Sequence, residues 1–230
     1  MTNRIITSRG GGRTWKPLVQ FKEGQSTTAI YAVRSLGINP MNGKELFYDL
    51  NGNLTYDWSA ANKVVCGDTE PKVSGSFGAN ADWKGFNLNV SFLYQLGGQV
   101  YNQTLVDRVE DADLSRNVDE RVLKGRWQKP GDKTDVPRRV NGNPYARYAS
   151  DRYMKSSNYL RLKTLSLSYT LPSRWVRSAK MNNVRVFFSG SNLLTWSAYK
   201  NVDPEQAING VTSFAFPALK TFTFGFEIGL

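Results

Sequence analysis

The chain has 230 residues, a formal net charge of +11 and a mean hydropathy of −0.45. It contains no histidine, and its single cysteine is Cys66, which excludes His-based catalytic triads, Cys–His dyads, disulfide frameworks and Cys/His zinc sites. No stretch is long and apolar enough to predict a transmembrane helix. This does not exclude a membrane β-barrel, because barrel strands alternate apolar residues with polar ones.

The basic residues are dispersed along the chain. Lysines and arginines occur in predicted loops and at strand ends, without a dense basic helix or an interleaved aromatic motif. We therefore expect no nucleic-acid binding. Residues 1–15 lack an apolar segment and do not predict a signal peptide, so an exported protein with this sequence would need to begin further upstream.

The first seventy residues show short and irregular strand patterns. Residues 28–35 predict one strand. Residues 46–48 and 54–56 flank Asn51-Gly52 and predict a hairpin, since an Asn-Gly pair favours a tight turn.

The same hairpin has polar residues at alternate positions from Asp49 to Asp57, which resembles a calcium loop. Leu54 and Ala60 stand where an EF-hand loop needs Gly and Glu. We therefore favour an Asn-Gly turn here and predict no metal site.

Residues 72–96 give the clearest strand signal. Apolar and polar residues alternate with a period of two on both sides of Lys84-Gly85, and Leu93 is an exception. Two amphipathic strands joined by so short a connection predict a β-hairpin.

Residues 97–157 form a long polar segment. Its part from 107 to 124 has helical character and many charges, and we interpret it as a solvated helix, with contact to a lid protein as the alternative. A loop of this length is uncommon inside a compact domain and is more often functional.

Strand patterns return in the last third of the chain. Residues 159–171 and 184–189 predict strands, separated by one or two helical turns at 173–181, and Phe187 breaks the alternation of the second. A loop at 195–217 leads into the final strand. One face of that strand carries Phe222, Phe224, Phe226, Ile228 and Leu230, and the other carries Thr221, Thr223, Gly225, Glu227 and Gly229.

The connections between these strands alternate in length. Those at 84–85 and 172–182 are short, and those at 97–157 and 195–217 are long. Outer-membrane barrels combine short periplasmic turns with long outer loops, so the pattern favours such a barrel. It predicts an aromatic girdle, with Trp83, Tyr169 and Trp175 near the inner interface and Tyr159 and Trp196 near the outer one.

Five strands cannot close a barrel, since about eight are the minimum. The predicted fold class is therefore all-β: an antiparallel portion of a larger transmembrane β-barrel with long extracellular loops. We assign residues 1–71 to an extracellular loop region with short hairpins and residues 72–230 to barrel strands and their loops.

Several segments resemble SusC/RagA-type TonB-dependent outer-membrane transporters. They are GDTEP (67–71), RWQKPGD (126–132), TDVPR (134–138), NYLRLKTLSLSYTLP (158–172), SGSNLLTW (189–196) and YKNVDPE (199–205). Each motif alone is weak, but their order and spacing together are specific, and the resemblance covers about 28–230. Leu230 stands where the family usually has an aromatic residue.

The resemblance implies the closing, C-terminal part of a 22-stranded barrel that is filled by a plug. Such a transporter imports a nutrient, an oligosaccharide or a peptide, with energy delivered by TonB through an N-terminal region that is absent here. The resemblance further implies contact with outer-membrane lipids, a SusD-like surface lipoprotein as partner, and location in the outer membrane of a Gram-negative, Bacteroidota-like cell. It implies no cofactor and no enzymatic activity.

Five aromatic residues in the predicted outer loops are candidates for contact with a sugar, a peptide or a partner protein. They are Trp127, Tyr145, Tyr148, Trp196 and Tyr199. Packing of the loops onto one another is the alternative role for each. Arg185 and Glu227 share the polar side of their strands, and we expect a structural salt bridge within the barrel wall. Lining a substrate path or anchoring the plug is the alternative role for this pair.

Two other classes of protein stay open at this point. A soluble or secreted all-β carbohydrate-binding module would pair its apolar faces in a dry core. A β-rich enzyme is disfavoured, because the sequence contains no histidine and no compact catalytic constellation.

Overall fold

A computed structural model of the chain describes residues 20, 22–112, 115, 117–139, 149–178, 180–200, 203–206 and 216–229. Tyr145, Tyr148 and Leu230 lie outside the described residues. Within the described ranges, no helix has the length and hydropathy needed to cross a bilayer.

Strands dominate the described secondary structure. In chain order they are β1 (Ala29–Val33), β2 (Ser35–Ile38), β3 (Glu45–Tyr48), β4 (Leu54–Thr55), β5 (Lys63–Asp68), β6 (Val73–Trp83), β7 (Phe86–Leu96), β8 (Gln99–Tyr101), β9 (Met154–Ser156), β10 (Tyr159–Thr170), β11 (Asn183–Ser197) and β12 (Thr221–Gly229). The α-helical segments are α1 (Gln103–Leu105), α2 (Arg121–Lys124) and α3 (Ser173–Ser178), and single turns of other helix types occupy Ala60–Asn62, Val106–Glu110, Asp151–Tyr153 and Pro204–Gln206.

The chain separates into two compact units. The loop unit contains the described residues of 20–70 and 98–156, and the sheet unit contains those of 71–97, 157–206 and 216–229. The described residues of 98–156 thus fold together with those of 20–70. The assignment of 1–71 and 72–230 to parts of one larger barrel domain stays a prediction.

The loop unit is built on short antiparallel pairs, β1 with β5, β8 with β9, and the three-stranded sheet β2-β3-β4. Every residue of β1 is buried, because its sequence AIYAV is apolar throughout. The main core cluster of the unit consists of Ile30, Ala32, Tyr101, Val106, Ala149 and Tyr153. The strand predicted at 28–35 is confirmed.

The hairpin of β3 and β4 turns at Asn51-Gly52, as predicted. The Asp49 carboxylate accepts hydrogen bonds from the backbone N–H groups of Asn51 and Asn53, both at 2.8 Å. Gly52 has φ +86°, a conformation that suits glycine.

The interpretation of residues 107–124 as a solvated helix is wrong. Among the described residues of this segment, helical structure is limited to a single turn at Val106–Glu110 and the short α2. Val109, Ala112 and Val122 are buried together in a second core cluster. The apolar residues are too sparse for a regular helical period, so their burial depends on tertiary contacts that the sequence pattern does not reveal.

The sheet unit is one antiparallel sheet of five strands in the order β12-β11-β10-β7-β6. The predicted hairpin at 72–96 is confirmed as β6 and β7. Lys84 and Gly85 have φ of 46° and 91°, so both central residues of the turn adopt positive φ, as a type I′ hairpin turn requires.

The register separates the side chains of all five strands into two faces. One row of directly opposed residues on the apolar face is Phe224, Phe188, Leu167, Leu88 and Ala81. The adjacent row on the polar face is Thr223, Ser189, Ser166, Asn89 and Asn80. The alternation predicted for each strand thus aligns across the sheet.

Phe187, which breaks the predicted alternation, lies on the polar face directly opposite Gly225. A Cβ atom built at Gly225 would overlap the Phe187 ring. The glycine therefore provides the space that the ring occupies, an arrangement in which an aromatic side chain covers the backbone of a glycine on the neighbouring strand.

The register of β10 shifts between Leu162 and Thr164 in its pairing with both neighbours. Against β7 the extra residue is Lys163 of β10, a β-bulge, whereas against β11 the two residues Asn192 and Leu193 oppose Lys163. The extra residue, Lys163, shifts the alternation, so Tyr159 and Arg161 lie on the polar face. Tyr159 is buried there, opposite Gln95. Its predicted place in a lipid-facing girdle is wrong, because the bulge moves each residue before it to the opposite face of the sheet.

The lengths of the connections confirm the predicted alternation. The turn at 84–85 and the connection 171–182 join strands at one end of the sheet, which we call the short-turn end. The connections 97–158 and 198–220 join strands at the opposite, long-loop end. Trp83 and Tyr169 lie at the short-turn end, with Trp175 in α3 just beyond, and Trp196 lies at the long-loop end on the apolar face.

We predict that Gly225→Ala destabilises the folded protein by about 1–3 kcal/mol, because the new methyl group overpacks against the Phe187 ring. The measurement is the midpoint of urea unfolding in detergent micelles. Phe187→Ala in the same molecule should recover part of the loss. Gly229→Ala is the matched control, since a Cβ there meets only ordinary contacts with Asn183, and an equal loss for both glycine variants would contradict the steric explanation.

Candidate functional site

The apolar face of the sheet is exposed. Phe224 and Phe226 of β12 are 78% and 73% accessible. Each of the four remaining strands of the sheet also exposes large apolar residues, such as Phe77, Leu88 and Leu167. Monomeric soluble proteins rarely expose a continuous apolar surface that crosses five strands. The surface therefore needs an apolar environment, a membrane or a protein layer.

Aromatic rings are paired across strands on this face. The ring centroids of Phe188 and Phe224 are 4.9 Å apart, and those of Phe77 and Phe92 are 5.1 Å apart. Such cross-strand pairs stabilise a sheet without a second layer of protein over it.

The polar face is composed of amide and hydroxyl groups and of paired charges. The Asn87 amide donates to the Asp82 carboxylate at 2.7 Å, and the Asn89 amide donates to Asn80. Arg185 and Glu227 lie opposite each other and form an ion pair at 3.5 Å. The predicted salt bridge is confirmed, and the face suits contact with water or with a polar protein surface.

An ion-pair cluster, which we call the Arg161 tether, fixes the loop after β11 to the sheet. The guanidinium of Arg161 contacts Asp203 at 2.5 Å and Glu205 at 2.7 Å, and its Nε donates to the Thr195 hydroxyl at 3.0 Å. Arg161 and Asp203 side chains are only 3% and 4% accessible. Because Arg161 lies on the polar face, the turn Pro204–Gln206 is held at that face near the long-loop end.

The carboxylate of Asp203 is fully hydrogen-bonded. Its oxygens accept from the backbone N–H groups of Ala218 at 2.7 Å and Glu205 at 3.0 Å as well as from Arg161. Burial alone would raise the pKa of Asp203, but these hydrogen bonds outweigh it and hold the pKa below its ordinary value. The loop is thus attached at both Asp203 and the segment just before β12.

A second buried arginine organises the loop unit. Arg152 contacts Glu110 at 2.5 Å and Glu45 at 3.1 Å, and the Tyr153 hydroxyl donates to Glu110. Burial opposes the charged form of Arg152, but the hydrogen bonds and charges of the two glutamates outweigh it and raise its pKa. Burial, with the Glu110 charge, also raises the pKa of Tyr153. The cluster is a structural brace, since each charge has an opposite partner.

Arg126 stabilises the same unit through backbone carbonyls. Its guanidinium donates to the carbonyl oxygens of Val122 at 3.0 Å, Val109 at 2.8 Å and Pro137 at 3.1 Å. These bonds hold together the chain segments on either side of α2.

The five aromatic residues predicted to contact a ligand or a partner differ in their surroundings. The Trp127 indole N–H donates to the Pro40 carbonyl at 2.8 Å and its ring packs on Gly43, so this residue packs one loop segment onto another. Trp196 is 52% accessible on the apolar face, which favours contact with lipid over contact with solute. Tyr199 is half-buried just after β11. Tyr145 and Tyr148 lie outside the described residues, so no ligand-contact role is established for any of the five.

The buried arginines were not among the predicted site residues. The resemblance motifs at 158–172 and 199–205 contain Arg161, Asp203 and Glu205, and the structure shows that these motifs contact each other. The sequence signal that could have identified Arg161 is its position as a charged residue within the alternating pattern of β10. Across the described ranges, no group of three or more His, Cys, Asp or Glu side chains is arranged to hold a metal ion.

We predict that Asp203→Asn loosens the loop, because Arg161 loses one charged partner in a buried position. An unsatisfied buried group costs about 1–3 kcal/mol, which corresponds to a roughly 5- to 150-fold increase in local opening. The measurement is the rate of tryptic cleavage after Lys200. Glu120→Gln is the control, since Glu120 pairs with Lys124 on an exposed surface and should not alter that rate.

The same tether should depend on pH. The lowered pKa of Asp203 means that its contribution is complete above its ordinary value of 3.8 and is lost as the pH falls through the lowered value. Resistance to an acid-active protease should therefore decrease with acidification in the native protein and stay constant in Asp203→Asn. Identical pH profiles would contradict the tether.

No protein-family model matches the chain, but two curated proteins of Formosa agariphila do. TonB-dependent receptor P3 is 33% identical over 199 residues, which cover 81% of this chain and 19% of that receptor. TonB-dependent receptor P26 is 27% identical over 202 residues, with the same coverage of 81% and 19%.

Solved structures of the RagAB peptide importer have the same fold. The 'open-open' state aligns with a TM-score of 0.73 and 27% identity, covering 88% of this chain and 22% of that one. The 'closed-closed' state aligns with a TM-score of 0.72 and 29% identity, covering 88% and 23%. The chain thus spans less than a quarter of the proteins it matches. In sequence and in fold, the chain matches a portion of the antiparallel β-barrel of SusC/RagA-type TonB-dependent transporters.

Proposed function

We propose that this chain forms part of the barrel wall of an outer-membrane transporter that imports a nutrient with energy delivered through TonB. The exposed apolar face carries the proposal, because it crosses all five strands and is backed by a polar face. Lipid would cover the apolar face, and the polar face would line the interior of the barrel.

The free edges of the sheet support the same role. Among the described strands, β6 and β12 are each paired on one side only. Unpaired backbone groups are costly in lipid, so both edges must pair with further strands of a closed barrel. The transport activity belongs to that whole barrel and not to these five strands.

We propose a peptide or an oligosaccharide as the transported nutrient, with a SusD-like surface lipoprotein as partner. Support for the peptide comes from the RagAB structures, which are of a peptide importer. The Arg161 tether would hold the turn at 203–206 against the interior wall of the barrel, close to its extracellular opening. An incoming solute must pass this point.

The soluble carbohydrate-binding sandwich is not supported. It requires an opposing sheet over the apolar face, yet the phenylalanines of β12 are exposed. The named relatives are receptors and an importer, and we propose no catalytic role for the chain.

We predict that Phe224→Arg impairs assembly of the full-length transporter, because a charge on the lipid face near mid-membrane costs roughly 2–4 kcal/mol. Thr223→Arg, one residue away on the polar face, should be much milder. The measurement is the folded fraction in the outer membrane, read from the heat-modifiable mobility of the barrel in gel electrophoresis. Equal tolerance of both variants would contradict the assignment of the two faces.

The substrate class is tested by deleting the transporter gene and comparing growth on a peptide mixture and on oligosaccharides as the limiting nutrient. We expect growth on one of the two to be lost and restored by the native gene, but not by Phe224→Arg. Co-purification of a surface lipoprotein with the native barrel tests the partner. Unchanged growth on both nutrients and recovery of the protein in a soluble fraction would contradict the proposed function.

A further inference from the structure

Positive charge is concentrated at the short-turn end of the sheet unit. Lys84 lies in the β6–β7 turn, Arg174 and Arg177 lie in α3, and Lys180 follows that helix. All four side chains are exposed, and among the described residues none of them forms an ion pair.

The described carboxylates at this end already have other partners. Asp82 accepts a hydrogen bond from the Asn87 amide at 2.7 Å, and Glu227 pairs with Arg185 at 3.5 Å. The four cations are therefore not neutralised by the acidic residues described at this end of the sheet.

Two of the cations are held over tryptophan rings. The ammonium of Lys84 lies 5.0 Å from the centroid of the Trp83 ring, and the guanidinium of Arg174 lies 5.8 Å from that of Trp175. The two tryptophans are 66% and 56% accessible. Cation–π contacts of this kind keep the charges close to the rings.

The rings mark the level of a membrane interface. Trp83, Phe86 and Tyr169 form a continuous row on the apolar face, with centroids 6.5 Å and 4.4 Å apart. The Thr170 N–H donates to the Gly85 carbonyl at 2.8 Å and fixes the turn against the end of β10, only a few residues before α3. Tryptophan and tyrosine prefer the headgroup region, so the cations beside them lie at headgroup depth.

We propose that Lys84, Arg174, Arg177 and Lys180 bind the phosphates of anionic phospholipids in the leaflet at the short-turn end. This inference rests on the proposed function, since it requires the apolar face to lie in lipid. Unpaired lysine and arginine at headgroup depth favour a headgroup with net negative charge over a zwitterionic one, whose own cation they repel. The cluster therefore selects headgroups such as phosphatidylglycerol.

The test uses the full-length transporter in nanodiscs of mixed phosphatidylglycerol and phosphatidylcholine, with retained lipids counted by native mass spectrometry. We expect the native barrel to retain phosphatidylglycerol preferentially. Lys84→Gln with Arg174→Gln should lower that preference roughly 25-fold, since each cation near the surface contributes about fivefold. Lys72→Gln with Lys220→Gln is the matched control, because it removes the same charge at the long-loop end and should leave the preference unchanged.

Lys84→Arg with Arg174→Lys keeps both charges and should keep the preference, which separates loss of charge from loss of folding. An unaltered preference in the Gln pair, or an equal decrease in the control pair, would overturn the lipid site while the barrel remains assembled. Failure of the native chain to form a heat-resistant barrel would instead overturn the proposed function, and the lipid site with it.

Discussion

Backbone hydrogen bonding in an apolar solvent is the constraint on which this structure depends. Lipid offers no partner for N–H and C=O groups, so strands in a membrane must satisfy one another. The sheet unit meets this requirement on its three inner strands, with an unbroken antiparallel order from β6 to β12. The register then places apolar residues of all five strands in common rows, and this alignment makes the outer surface compatible with lipid.

Buried arginines organise the parts of the chain that leave the sheet. Arg161 holds the loop after β11, and Arg152 and Arg126 hold together segments of the loop unit that are distant in sequence. A planar guanidinium presents five donors in a rigid fork, so it can contact several carboxylates or carbonyls in fixed directions, a geometry that the ammonium of lysine lacks. In the loop unit, the contacts of Arg152 and Arg126 add to the two apolar core clusters.

The β-bulge at Lys163 connects the register of the sheet with the arginine contacts that hold the loop after β11. Without the extra residue, Arg161 would face the apolar side, where its charge would have no partner. With it, the arginine turns to the polar face and meets Asp203. A local irregularity of the strand thus decides where the loop after β11 is attached.

The sequence by itself determined the five strands of the sheet unit, their alternation, the Lys84-Gly85 and Asn51-Gly52 turns and the order of long and short connections, because period-two patterning and turn chemistry are local properties. It also predicted the pairing of Arg185 with Glu227, since both lie on polar sides of adjacent strands. Only the tertiary structure decided the burial of Val109, Ala112 and Val122, the face on which Tyr159 lies and the partners of Arg161 and Arg152. Those features depend on a register shift and on contacts between residues more than 40 positions apart, and no local pattern encodes them.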